Sequence, residues 1–153
     1  MIVVDAGVLV VALVDQGPDG DRARKRLRYE ALSAPELADL EVLSVLRRLV
    51  LGGLLTVDRS EQAFTDFADL PLRRAPHLPL LALCWELRQN LTTYDASYVA
   101  LAEELNVLLL TTDARLSRAP GLRCEVEVLR PACGYANGPF VGSAFSSGSS
   151  TSA

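Results

Sequence analysis

One histidine is all that this sequence of 153 residues offers for imidazole chemistry, and it lies in the proline-flanked stretch Ala75-Pro76-His77-Leu78-Pro79. A catalytic imidazole needs a partner that orients it and a proton within reach. His77 is a poor candidate for that work, so histidine-based chemistry is set aside. Cysteine is nearly as scarce: Cys84, Cys124 and Cys133 are odd in number and have no metal-like spacing. That pattern argues against a zinc site and a disulfide framework, and it fits a reduced, cytosolic setting. Positive charge is also short, with a formal net charge of -4. That argues against a protein that grips nucleic acid by bulk positive potential, and any such contact must come from local basic patches. Long hydrophobic runs are missing as well. The N-terminus is apolar, but Asp5 interrupts it, no basic residue precedes it, and Gly7 to Val14 is too short to cross a bilayer. Neither a signal peptide nor a membrane span is expected.

Half of the residues are hydrophobic, enough for one domain with a substantial core. Residues 2–5 read as a buried strand, short and β-branched. A helix begins near Val8 and breaks at Gln16-Gly17-Pro18-Asp19-Gly20, and a second runs from about Asp21 to Leu32. Ser33-Ala34-Pro35-Glu36 predicts a helix start with a capping box, and Gly52-Gly53 the end of that helix. Ser60 is expected to cap a helix through Leu70. Residues 70–75 form a candidate strand and residues 78–91 a helix. Thr92 or Thr93 caps another helix to Leu105, and strands are expected at 107–111 and 126–129. Strands separated by helices imply an α/β fold: a central parallel sheet of four or five strands with helices on both faces. From Pro131 to Ala153 the chain is dominated by Gly, Ser and Ala. Such a segment buries too little apolar surface to fold, so the domain is expected at 1–130, with 131–153 a disordered tail or a remnant of cloning.

Four acidic residues stand where a carboxylate is hard to explain as ordinary surface. Asp5 ends Ile2-Val3-Val4, Asp113 closely follows Val107-Leu108-Leu109-Leu110, Glu41 lies inside an apolar helical pattern, and Asp95 opens a helix in Thr93-Tyr94-Asp95-Ala96. A carboxylate at the buried end of an element costs several kcal/mol, as an order of magnitude, unless something neutralises it. Converging carboxylates repel one another, and a divalent cation is the usual remedy. Parallel strands bring Asp5 and Asp113 to one rim of the sheet, where open α/β sheets bind ligands. This combination points to metal-dependent phosphodiester chemistry.

Four segments carry a resemblance: Ile2-Val3-Val4-Asp5-Ala6; Pro35-Glu36-Leu37 followed by Glu41; Leu91 to Ala102 around Asp95; and Leu110-Thr111-Thr112-Asp113-Ala114-Arg115-Leu116. In this order and at this spacing the chain resembles the PIN-domain ribonucleases, in particular the VapC-type toxins of bacterial toxin–antitoxin pairs, over roughly residues 1–130. The resemblance implies a PIN-like three-layer fold and an endoribonuclease site in which Asp5, Glu41, Asp95 and Asp113 bind Mg²⁺ or Mn²⁺. It also implies a cognate VapB-type antitoxin and a toxin homodimer. Many relatives carry a small hydroxyl residue two positions after the first Asp. This chain has Gly7 there, and so lacks a hydroxyl contact to an acidic neighbour or metal-bound water.

Other residues keep two readings. Thr111 and Thr112 could hold a metal-bound water or a phosphate, or simply complete a turn. Arg115, just after the acidic rim, is placed to meet substrate phosphate. Arg22, Arg24, Lys25, Arg26 and Arg28 form either a solvated helix face or a contact to an RNA backbone. Tyr94 and Tyr98 straddle Asp95 and could stack, hydrogen-bond or pack in the core. Rival folds with acidic strand ends fare worse. A phosphoacceptor receiver domain needs an acidic pair after its first strand and a late lysine, but Ala6 follows Asp5 and residues 107–129 contain no lysine. A dehalogenase-type phosphatase wants Asp at position 7. A non-catalytic PIN-like binding module remains as the alternative, disfavoured by the presence of all four acids.

Overall fold

In the computed structural model, which describes residues 1–130, three consecutive branched residues make the first strand, β1 (Ile2–Val4), and all three are buried. The expectation for residues 131–153 lies outside the described residues. The other strands are β2 (Leu32–Pro35), β3 (Leu72–Ala75), β4 (Leu109–Thr111) and β5 (Val126–Val128). They form one five-stranded sheet in the order β3-β2-β1-β4-β5, and every neighbouring pair is parallel. The helices are α1 (Ala6–Val14), α2 (Pro18–Leu27), α3 (Leu37–Leu51), α4 (Val57–Asp69), α5 (Leu81–Glu86) and α6 (Thr93–Leu105).

The strand order decides the layers. From β1 the chain steps outward to β2 and β3, then crosses back to β4 on the other side of β1. Right-handed crossovers then put α1 to α4 on one face and α5 with α6 on the other. Packing agrees: α1 lies against α2, α3 and α4, whereas α6 lies against α5 and the strands β1, β2 and β4. The core includes Val3, Val4, Leu109 and Leu110 of the central strands, with Val8, Val42 and Val99 from the helices above and below. In α6 every residue from Ala96 to Ala102 is buried. Its alanines and serine let the helix backbone approach the sheet closely.

The reversal of direction between β1 and β4 is the topological switch point, where the loops leaving the two strand ends diverge and leave a crevice. Asp5 follows β1 directly, and Asp113 stands two residues beyond β4.

Several boundaries differ from the sequence reading. Residues 32–35 are the strand β2, not a helix start, and α3 begins at Leu37 without a side-chain cap. Ser33 is fully buried and donates its hydroxyl hydrogen to the Arg73 carbonyl at 3.1 Å. Neighbouring strands on both sides offered the backbone more partners than a helix turn could, which overrides a local capping pattern. Thr56, not Ser60, caps α4, accepting from the Arg59 amide at 3.3 Å. Pro18 is not in the break but in the first turn of α2, where its missing N–H costs nothing. Residues 78–91 are not one helix: 3-10 turns at Leu78–Leu80 and Leu87–Gln89 bracket the short α5. Thr92 does cap α6, accepting from the Asp95 amide at 3.1 Å. That helix ends at Asn106, whose φ of 51° is left-handed, so the next strand starts at Leu109 rather than Val107.

The two possible caps of α4 can be separated by substitution. Thr56→Ala is expected to cost about 1 kcal/mol of unfolding free energy, and Ser60→Ala no more than about 0.5 kcal/mol, both read from urea denaturation midpoints.

Candidate active site

Asp5 serves two elements at once. As the N-cap of α1 its Oδ1 accepts from the Val8 amide at 3.1 Å, which is why an acid follows a β-branched strand here. Its Oδ2 faces β4 and accepts from the Thr111 hydroxyl and from the Thr112 amide at 3.4 Å. Burial raises the Asp5 carboxyl above its ordinary value, and these donors pull the other way without cancelling it.

Glu41 reaches the same place from α3. Burial raises its carboxyl, the Tyr98 hydroxyl opposes that by donating to Oε2, and the charges of Asp5 and Asp95 push it up further. Tyr98 is itself buried, and burial together with the Glu41 carboxylate keeps its phenol protonated well beyond the usual range. Asp95, in the first turn of α6, accepts from the Thr92 hydroxyl at 2.8 Å. Glu41 therefore lies within range of the charges of both Asp5 and Asp95.

The fourth acid is placed differently. Asp113 is gripped by Arg115, whose Nη2 lies 2.6 Å from Oδ2 and whose Nε lies 3.0 Å from the same oxygen. The Arg115 amide adds a bond of 2.8 Å to Oδ1. These bonds hold the Asp113 carboxyl below its ordinary value. Arg115 thus stands at the acidic rim with its charge paired to Asp113, although its side chain is 71% exposed and open to other anions. The charge of Asp95 also reaches it.

Thr111 and Thr112 occupy different roles. Thr111 is fully buried, and its hydroxyl is engaged twice: it donates to Asp5 and accepts from the Asp113 amide at 3.0 Å. It is a strut between the first and fourth acids. Thr112 is half-buried at the mouth. The sequence shows no signal for the strut, because Asp5 and Thr111 are brought together only by the pairing of β1 with β4. The bond from Tyr98 to Glu41 is equally long-range, although a tyrosine one turn after Asp95 is placed by helical spacing on the same face.

The basic run of α2 is mostly exposed, but several of its guanidinium groups are already engaged. Arg24 donates to the Ala12 and Asp15 carbonyls and pairs with Asp21. Arg26 pairs with Glu127 of β5 and with Glu30, and Arg22 donates to the Arg130 carbonyl. Arg28 lies over the Tyr29 ring. Arg22 and Arg26 thus tie α2 to the β5 edge and Arg24 ties it to the end of α1, while Lys25 and Arg28 stay on the exposed face.

The donor set suits a hard divalent cation, being all carboxylate oxygen. Among the described residues, no three His, Cys, Asp or Glu side chains are already gathered into a ligand set. Carboxylates without a counter-ion repel, and Arg115 answers the charge of one of them.

The PIN domain family model matches residues 2–122. Ribonuclease VapC1 of Mycobacterium tuberculosis (strain CDC 1551 / Oshkosh) is 43% identical over 129 residues, spanning 84% of this chain and 97% of that protein. Among solved structures, the sarcin-ricin loop cleaving toxin VapC20 of Mycobacterium tuberculosis has a TM-score of 0.62 at 14% identity, covering 80% of this chain and 96% of that one. VapBC2 of Rickettsia felis, bound to a DNA fragment from its promoter, has a TM-score of 0.55 at 17% identity, covering 84% and 98%.

Tyr98→Phe leaves the Glu41 carboxylate without its phenolic donor, and is expected to lower stability by about 1–2 kcal/mol. In a Glu41→Gln background the same change is expected to cost less, since no buried charge is then orphaned. Urea unfolding of the four proteins without divalent ions checks both.

Proposed function

The chain belongs to the PIN-domain family, among the VapC-type ribonucleases, and we propose that it is a divalent-cation-dependent endoribonuclease toxin held in check by a cognate antitoxin. The observation that carries this reading is that Glu41, from α3, reaches the charges of both Asp5 and Asp95 beside the sheet's switch point. We assign those three residues and Asp113 as the cation's ligands, with Mg²⁺ the first choice and Mn²⁺ the second. A hard cation bound there would polarise a phosphodiester and acidify a water. The chain supplies the rest. Val8 and Thr111 hold Asp5 in place, and Tyr98 orients Glu41. Arg115 is the cation best placed to take a substrate phosphate once it leaves Asp113.

We take the working unit to be residues 1–130. The four acids all lie there, and the relative at 43% identity is matched over 97% of its own length by 129 residues of this chain. Among the described residues no helix is long and apolar enough to cross a membrane.

A partner is proposed on physical grounds as well. Large apolar side chains remain uncovered on α3 and α4, where Leu40 is 68% and Phe64 is 49% exposed, and again at Leu78 and Trp85, 79% and 69% exposed. A monomer gains nothing by wetting such surface. An antitoxin segment and a second copy of the chain would cover it.

With a short RNA and Mg²⁺, the chain is expected to cleave internally and to stop when a chelator is added. Asp5→Asn, Glu41→Gln, Asp95→Asn and Asp113→Asn are each expected to lose at least roughly a hundredfold in rate, whereas the chain cut after Arg130 keeps the full rate. An Asp5→Asn protein as fast as the parent refutes the assignment. RNA bound but never cut would favour the non-catalytic module. Light scattering is expected to show a dimer alone and a larger complex with the cognate antitoxin; a monomer in both cases counts against the partner reading.

A further inference from the structure

Gly7 lies in the first turn of α1, two residues after Asp5. Its backbone is not left-handed, unlike that of Gly53 and Gly121, so its conformation does not require glycine. Space does. A Cβ at this position would stand 2.5 Å from the Thr112 hydroxyl oxygen and 2.9 Å from Asp5 Oδ1. The hydroxyl of Thr112 fills the room that a side chain at position 7 would take, and it shares that small volume with a carboxylate oxygen of the proposed site.

The two threonines after β4 are not alike. The Thr111 hydroxyl is buried and engaged by Asp5 and the Asp113 amide. Thr112 gives only its backbone amide to Asp5, at 3.4 Å. Its hydroxyl makes no hydrogen bond to another described residue, and it stands half-buried at the crevice mouth. A hydroxyl carries one donor and two acceptor sites. One left free beside a carboxylate at a ligand crevice is placed to hold what binds there.

We propose that Gly7 and Thr112 act as one unit: the missing side chain at 7 admits the Thr112 hydroxyl, which positions an oxygen of the substrate, either a phosphate oxygen or the attacking water, beside Asp5. This rests on the ribonuclease reading above. Thr112 is a positioning residue, distinct from the four acids, and the hydroxyl absent from position 7 is supplied across the sheet from β4.

The test sets hydroxyl against shape. Valine matches the shape of threonine without the hydroxyl, and serine keeps the hydroxyl without the methyl. Thr112→Val is expected to lose about tenfold in cleavage at an unchanged melting temperature, whereas Thr112→Ser stays within about threefold of the parent. A rise in KM would identify the phosphate oxygen and a fall in kcat the attacking water; either outcome supports the proposal. Gly7→Ala is expected to displace the hydroxyl and lose at least as much as Thr112→Val, and combining the two is expected to lose no more than Gly7→Ala alone. Calorimetric titration with Mn²⁺, without RNA, is expected to give Thr112→Val the parent's affinity within about twofold. The proposal is overturned if the valine protein cleaves like the parent, if valine outperforms serine, or if Mn²⁺ affinity falls with the rate. A parent chain that cuts no RNA in Mg²⁺ defeats the ribonuclease reading itself, an outcome distinct from all of these.

Discussion

At the end of β1 the Asp5 carboxyl caps α1 with one oxygen and sets the other against β4, where it accepts from the buried hydroxyl of Thr111. The same hydroxyl accepts the Asp113 amide, so a single oxygen joins the ends of the two central strands and spaces the first and fourth acids. A parallel pair has no hairpin to set that spacing. Its register comes from the ladder, Val3 opposite Leu109 and Val4 opposite Leu110. The register depends in turn on the helices that cover both faces. The site therefore inherits its geometry from the most deeply buried part of the described chain, the central strands β1 and β4.

Charge is balanced locally rather than globally. The net charge of -4 leaves no broad positive field, and much of the guanidinium in α2 is committed to carbonyls and to Glu127 and Glu30. Those arginines hold a polar helix against the end of α1 and the edge strand β5. Arg115 is different: it sits on the rim, mostly exposed, and pairs with an acid of the site. Its partner could be exchanged for a phosphate at little cost, because the competing ion pair is solvent-facing and worth little. The arrangement keeps an acidic site tolerable while it is empty of substrate and still leaves one cation at its edge.

Apolar surface follows a similar division. The leucines and valines that face the sheet are buried, but α3 and α4 and the turn-rich segment around α5 carry large side chains that no part of the described chain covers. In α3, Val42, Leu46 and Leu49 point into the core while Leu40, Leu43 and Leu51 point out. One helix thus serves the fold on one side and offers a sticky stripe on the other, and it also carries Glu41. A partner seated on that stripe would sit on the helix that carries Glu41, which joins the two through a single element.

The sequence alone determined the layered α/β architecture and singled out four acids as candidates. Short β-branched runs alternating with helical patterns imply a parallel sheet, and carboxylates at the ends of buried runs stand out as candidate cation ligands, although Asp5 also caps α1. These are local signals, written in composition and period. What failed was also local: the capping pattern at Ser33 lost to the strands on either side of it, and one helix at 78–91 became a short helix between 3-10 turns. Tertiary structure alone decided that Tyr98 answers Glu41, that Thr111 spans two acids, that Arg115 closes on Asp113, and that Gly7 makes way for Thr112. Most of these contacts join residues far apart in the chain, where no periodicity reaches, and the close pair at 113 and 115 is shaped by the turn that β4 makes as it leaves the sheet. Hydrogen bonds of that kind depend on distances of a few tenths of an ångström, which only the packed sheet and its helices can set.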